Sequence, residues 1–219
     1  MRIAIAVALQ QELDSALVQG AAQVFYTGVG KVNATMATLQ ALDRLQPNIL
    51  INFGTAGAVR PGLSGLMPVA RTVQRDMNAE PLAPRGTTPF QVGPHQLDSG
   101  QTGWVCGTGD SFVSAHDAWF DSAGIDLVDM ELFAIASACH RQGTPWRSMK
   151  FISDQANGDS PADCKPMCAV ASSCLYAGFL MNFWCKPSLP DTARVFVHRQ
   201  MVPRHVMLGS TFRPIDSLH

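Results

Sequence analysis

The sequence predicts an α/β fold in which a central mixed, mostly parallel sheet is flanked by helices. Two observations carry that expectation. Short apolar runs rich in Ile, Val and Phe recur along the chain, and several are continuous rather than alternating, as strands covered on both faces are. Stretches with helical periodicity lie between some of these runs, and strands alternating with helices build α/β domains.

The first run, IAIAVAL (3–9), imitates a leader peptide behind a single Arg. It stops after seven residues, and QQELD follows where small cleavage-site residues belong, so it reads as a buried strand. VFYTG (24–28) is the second expected strand. KVNATMATLQALDRL (31–45) predicts a helix, because Val32, Met36, Leu39, Leu42 and Leu45 fall on one face, with Pro47 and Asn48 ending it. Further strands are expected at ILINF (49–53), PVARTV (68–73), WVCGT (104–108), IDLVD (125–129) and MKFIS (149–153). VDMELFAIASACH (128–140) reads as the opening of a buried helix with a carboxylate, Glu131, at its mouth. Residues 74–103, rich in proline and glycine, predict a long structureless loop, functional or partner-facing.

Residues 167–185 carry no charge across nineteen positions, which meets the length of a membrane span. Ser172, Ser173, Gly178 and Asn182 within it suit a last helix packed on the sheet. That reading is favoured, and with it no membrane association. One domain is thus expected over 1–183, and an appended, poorly ordered tail over 184–219.

Composition narrows the function. The 219 residues are 47% hydrophobic and 15% charged with a net charge of −1, which suits one sizeable core. A near-neutral chain without a basic stripe lacks the electrostatic footprint of a nucleic-acid binder. The six cysteines form no CxxC pair, and no His stands at zinc-like spacing from two of them. No metal site is expected, and free thiols in a reducing cytoplasm are.

Ligands of doubly wound sheets collect beyond the carboxyl ends of the strands. The residues that follow the apolar runs are Gln10-Gln11-Glu12, GVGK (28–31), FGTAGA (53–58), GTGDSFV (107–113), DMEL (129–132) and SDQAN (153–157). Each has a bland reading. GVGK lacks the Walker spacing and the third glycine of a dinucleotide fingerprint, so it reads as a tight turn opening a helix. Glu12 and Glu131 suit first helical turns, and Asp154 suits an N-cap. GLSGL (62–66) misses the GxSxG elbow and no HExxH occurs, which leaves serine-triad and zinc hydrolysis unsupported.

In combination, GVGKVNAT, NFGTAGAV, GTGDSFV, VDMELFAIASACH and KFISDQAN resemble the purine nucleoside phosphorylase superfamily across residues 1–160. The likeness is greatest to its 5′-methylthioadenosine/S-adenosylhomocysteine nucleosidases. The resemblance implies that Met130-Glu131 binds the ribose, the carboxylate accepting from the sugar hydroxyls. It implies that Asp154, beside Ser153, is the acid that protonates N7 of the leaving purine, and that Glu12 activates water. Phe112 would flank the base, Val113 would offer backbone contacts, and Thr55 and Gly57 would lie in a glycine-rich turn at the ribose end. The implied reaction is hydrolysis of an N-glycosidic bond in a purine nucleoside, adenine-bearing by expectation, without a cofactor and in a homodimer.

Phosphorylases of the superfamily carry an arginine shortly before that turn. Here Ile51, Asn52 and Phe53 precede it, which favours water over phosphate, with Lys31 as the alternative anion ligand. Two other readings are a purine nucleoside phosphorylase and a non-catalytic nucleoside-binding protein. The sequence also departs from the family pattern. Only fifteen residues separate Glu12 from Gly28, too few for the family's usual hairpin there, and the 74–103 loop and the tail have their own sequences.

Overall fold

A computed structural model describes residues 1–156 of the chain. The apolar segment 167–185, the expected boundary at 183/184 and the tail lie outside the described residues. Within them, no helix is long and apolar enough to cross a membrane.

The chain enters through β1 (Ile3–Val7), whose five residues are all buried. A short 3-10 turn (Ser15–Val18), capped by the Asp14 side chain, leads to β2 (Gln23–Tyr26), so a compact connection stands where a hairpin would otherwise extend. Helix α1 (Lys31–Leu45) follows, then β3 (Ile49–Ala58) and β4 (Leu66–Gln74). After β5 (Gln96–Asp98) and β6 (Trp104–Thr108) come α2 (Ala118–Ala123), β7 (Leu127–Asp129), α3 (Leu132–Gln142) and β8 (Trp146–Asp154).

The strands form one sheet in the order β2-β1-β3-β7-β6-β4-β5. Pairings β1–β2, β1–β3, β3–β8, β4–β6 and β6–β7 are parallel, the other three antiparallel. β8 pairs with both β3 and β4, so β3, β7, β6, β4 and β8 close into a ring. The mixed, mostly parallel sheet flanked by helices is as expected; the closure is additional.

Three local expectations need correction. FGTAGA is no turn: β3 runs through it to Ala58, paired with β8 along its length and with β7 at Gly57 and Ala58. The small residues serve close strand approach instead. The 74–103 segment is not wholly structureless, since β5 adds an antiparallel edge to β4. Finally, α1 has the expected bounds but a different inner face. It buries Ala34, Thr38, Ala41 and Leu42, while Val32 and Met36 are 70% and 67% exposed. Small side chains win there because α1 packs on α3, and Ala34 and Leu42 share one buried cluster with Ala134 and Ala138.

Candidate active site

The carboxyl ends of β1, β3, β6, β7 and β8 surround one cavity. Its lining includes all nine residues singled out in the sequence: Glu12, Thr55, Gly57, Phe112, Val113, Met130, Glu131, Ser153 and Asp154. They come from five segments far apart in the chain: parallel pairing gathers the ends of β1, β3 and β8 and those of β6 and β7, and the antiparallel β3–β7 contact joins the two sets.

Glu12 sits in the turn after β1, not in a helix, its backbone N–H bonded to the Leu9 carbonyl. The residue is 4% exposed. Oε1 accepts from the backbone N–H and the Oγ1 hydroxyl of Thr55, both at 2.8 Å, and Oε2 accepts from the Leu9 N–H at 3.0 Å. Three donors thus fix the orientation of an acceptor-only group. Gly54 lies alongside, where a Cβ would just touch Oε1 at 3.4 Å.

Glu131 answers why a carboxylate stands at the start of a buried helix. It is the N-cap residue of α3, yet its side chain makes no capping bond. Asp129 Oδ2 accepts from the Leu132 N–H at 2.9 Å and Thr108 Oγ1 accepts from the Phe133 N–H at 2.9 Å, so other groups satisfy the helix start. Freed from that task, Glu131 turns to the cavity, where Oε1 accepts from the Gly30 N–H at 2.9 Å. Gly30 adopts φ of 92°, a conformation that places its N–H there at little cost only for glycine. Burial, then the nearby Asp129 charge, pushes the Glu131 carboxyl up to about 7.

Beneath Glu131 lies a wholly buried ion pair, Lys150 Nζ to Asp129 Oδ2 at 2.7 Å. Burial works to raise the Asp129 pKa, but the Lys150 ammonium and the hydrogen bonds from Lys150 and Thr108 hold it below the usual carboxylate range. Burial likewise opposes charge on Lys150, and Asp129, Cys106 and Glu131 together hold its pKa above the ordinary lysine value. A charge this deep persists because it is paired and hydrogen-bonded.

Asp154 ends β8. Its Oδ1 accepts from the Ala156 N–H at 2.8 Å and its Oδ2 from the Ser153 hydroxyl at 2.8 Å. Gly57 faces it across the β3–β8 pairing, and a Cβ at that position would fall 2.8 Å from Oδ1. Phe112 is 56% exposed at the cavity mouth. Beside it, the backbone N–H and C=O of Val113 take no hydrogen-bond partner among the described residues.

Sequence reasoning missed Asp129, Lys150, Arg75 and Ser111, all at or against this cavity. The signal for Lys150 was present: a lone cation inside MKFIS, a run expected to be covered on both faces, requires a buried anion nearby.

Comparison with known proteins gives a consistent picture. The sequence profile of the phosphorylase superfamily matches residues 17–99 and 101–172. The 5′-methylthioadenosine/S-adenosylhomocysteine nucleosidase of Haemophilus influenzae (strain PittGG) is 28% identical over 208 residues, 82% of this chain and 87% of that protein. The S-adenosylhomocysteine nucleosidase of Streptococcus pyogenes, solved in complex with 5-methylthiotubericidin, is 25% identical with a TM-score of 0.70, covering 84% of this chain and 96% of that one. The futalosine hydrolase of Helicobacter pylori shares the fold with a TM-score of 0.73 at 18% identity, covering 81% of this chain and 94% of its own.

Proposed function

The chain belongs to the phosphorylase superfamily, and from that membership we propose that it hydrolyses the N-glycosidic bond of a purine nucleoside such as 5′-methylthioadenosine or S-adenosylhomocysteine. The observation that carries the reading is the convergence of Glu12, Glu131 and Asp154 on one cavity.

Glu12 takes a proton from water, and the water oxygen bonds to the anomeric carbon as the carbon–nitrogen bond breaks. The bonding electrons leave with the purine, and Asp154 delivers a proton to N7. Glu131 accepts from the ribose hydroxyls and favours the positive charge that builds on the sugar. Phe112 flanks the base, Val113 offers its backbone groups, and Met130, Thr55, Gly57 and Ser153 shape the ribose end. Transfer of the Glu12 proton to solvent and uptake of one by Asp154 restores the resting state.

Water is favoured over phosphate because the cations near the cavity are already committed. Lys31 Nζ bonds Asp76 at 2.6 Å, Lys150 bonds Asp129 at 2.7 Å, and both terminal nitrogens of Arg75 donate within residues 109–111, which leaves a single buried Nε–H of these three cations unpartnered among the described residues. An oxyanion held without such donors loses its strongest hydrogen bonds.

The reading extends to a cytoplasmic homodimer in methionine salvage. Cys106 and Cys139 are buried free thiols, in keeping with a reducing compartment. Leu9, Val29 and Phe112 stand exposed on the cavity lining with Val32 exposed beside Val29, an apolar rim suited to a second copy. Sedimentation velocity tests the dimer, and a monomer alone at micromolar concentration would overturn it.

The chemistry is tested by measuring adenine release from 5′-methylthioadenosine with and without phosphate. Hydrolysis predicts equal rates and a free sugar; a phosphate requirement would assign a phosphorylase instead. Asp154→Asn should bind the nucleoside while turnover falls by a factor of about 100 or more. Unchanged turnover would remove Asp154 from the mechanism, and no turnover by either protein on any purine nucleoside would favour a binding protein.

A further inference from the structure

We propose that Arg75 is a positioning residue for the purine end of the cavity, its guanidinium setting the segment that carries Phe112 and Val113. The proposal rests on the nucleosidase reading, which puts the base beside those two residues and Asp154.

Arg75 directly follows β4 and is 4% exposed. Its Nη2 donates to the Gly109 carbonyl at 3.1 Å and to the Ser111 carbonyl, and its Nη1 donates to Ser111 Oγ at 3.3 Å. The neighbouring Asp76 accepts the Asp110 N–H at 2.9 Å. Two consecutive side chains therefore hold residues 109, 110 and 111 in turn. The guanidinium can come this close because Gly109 has no side chain: a Cβ there would lie 2.9 Å from Arg75 Cζ.

Arg75 is itself framed from behind. Its N–H donates to the Thr108 carbonyl at 2.9 Å, and its carbonyl accepts from Arg85 Nε at 3.0 Å. Arg85 lies 4.4 Å over the Trp119 ring and pairs with Asp117 at 2.7 Å. The half-exposed Phe112 gains little anchorage from its own packing, so the hydrogen bonds just before it decide where the aromatic wall stands. One further feature separates this from a merely structural arginine. Its Nε–H is buried without a partner among the described residues, a cost that scaffold arginines seldom carry. The planar fork reaching Ser111 Oγ and two carbonyls has no equivalent in a lysine.

The test separates the two ends of the substrate in Arg75→Lys and in the milder Ser111→Ala, which leaves both carbonyl contacts intact. Adenine serves as the base-side probe and 5-methylthioribose as the sugar-side probe, each measured by calorimetry, alongside kcat and KM for 5′-methylthioadenosine. In Arg75→Lys, adenine affinity and KM should weaken in parallel by roughly tenfold, while kcat and sugar affinity change by no more than about twofold. Ser111→Ala should shift adenine affinity in the same direction by about threefold and keeps the idea testable if Arg75→Lys does not fold. Equal losses at both ends, a loss confined to kcat, or no change in adenine affinity would overturn the proposal. If the wild-type protein binds adenine but hydrolyses no nucleoside, the catalytic reading fails, and the adenine measurements alone still decide the role of Arg75.

Discussion

Replacing Glu131 with Gln should stabilise the unliganded protein at alkaline pH. In the folded state burial pushes this carboxyl from 4.5 up to about 7, a displacement equivalent to about 3 kcal/mol. A raised carboxyl pKa means that the folded chain binds more protons than the unfolded chain between these values. Wild-type stability must therefore fall as pH rises through that window, and the loss is complete above about pH 7. Integrated from about pH 5 to about pH 8.5, Glu131 should remove about 2.5 kcal/mol. Gln keeps an acceptor for the Gly30 N–H and carries no charge, so the variant lacks this decline. Urea denaturation of both proteins at the two pH values reads the effect directly: the variant's advantage should widen with pH. The background from Asp129 and Lys150 is common to both proteins and largely cancels. Denaturation midpoints that stay parallel between the two pH values would refute the reasoning. The same substitution should weaken nucleoside binding, because the amide no longer accepts from the sugar hydroxyls at two ionised oxygens.

Two further outcomes follow from the geometry. Gly57→Ala puts a methyl group 2.8 Å from Asp154 Oδ1 and 3.2 Å from Ala156 Cβ, so the carboxylate must move and residue 156 must give slightly, and turnover should drop about 100-fold, a loss larger than any fall in melting temperature accounts for. Wild-type turnover in that variant would show that Asp154 need not stand where it does. Lys150→Met leaves Asp129 buried beside an apolar side chain and should cost about 3–5 kcal/mol. Adding Asp129→Asn should restore part of that stability, and a double variant no more stable than the single one would contradict the pairing as the cause.

What the sequence revealed and what it hid divide along physical lines. Strands buried on both faces left continuous apolar runs, so β1, β3 and β8 were legible, and the residues that follow the apolar runs, within or just past the strands, supplied the cavity. The inner face of α1 was misjudged because periodicity weighs large apolar residues, whereas close packing on α3 selects Ala34, Thr38 and Ala41. FGTAGA read as a turn because glycines usually mark one. Here Gly57 permits the strand to pass Asp154 at contact distance, a requirement set by a partner about a hundred residues further along the chain. Arg75 and Asp129 were hidden for the same reason, and Lys150 stood out only as a cation without a visible partner. A buried charge makes sense only with its partner, and the partner is named by tertiary structure alone.

The closed circuit of β3, β7, β6, β4 and β8 has a consequence for synthesis on the ribosome. Its final stave is the last described strand, so a nascent chain that has not yet delivered residue 154 has an open seam along β3 and no binding chamber. Closure joins segments some hundred residues apart, the kind of pairing that forms slowly. Until then the exposed edge of β3 must be shielded from other chains, and a ligand can reward the enzyme only after the last stave is in.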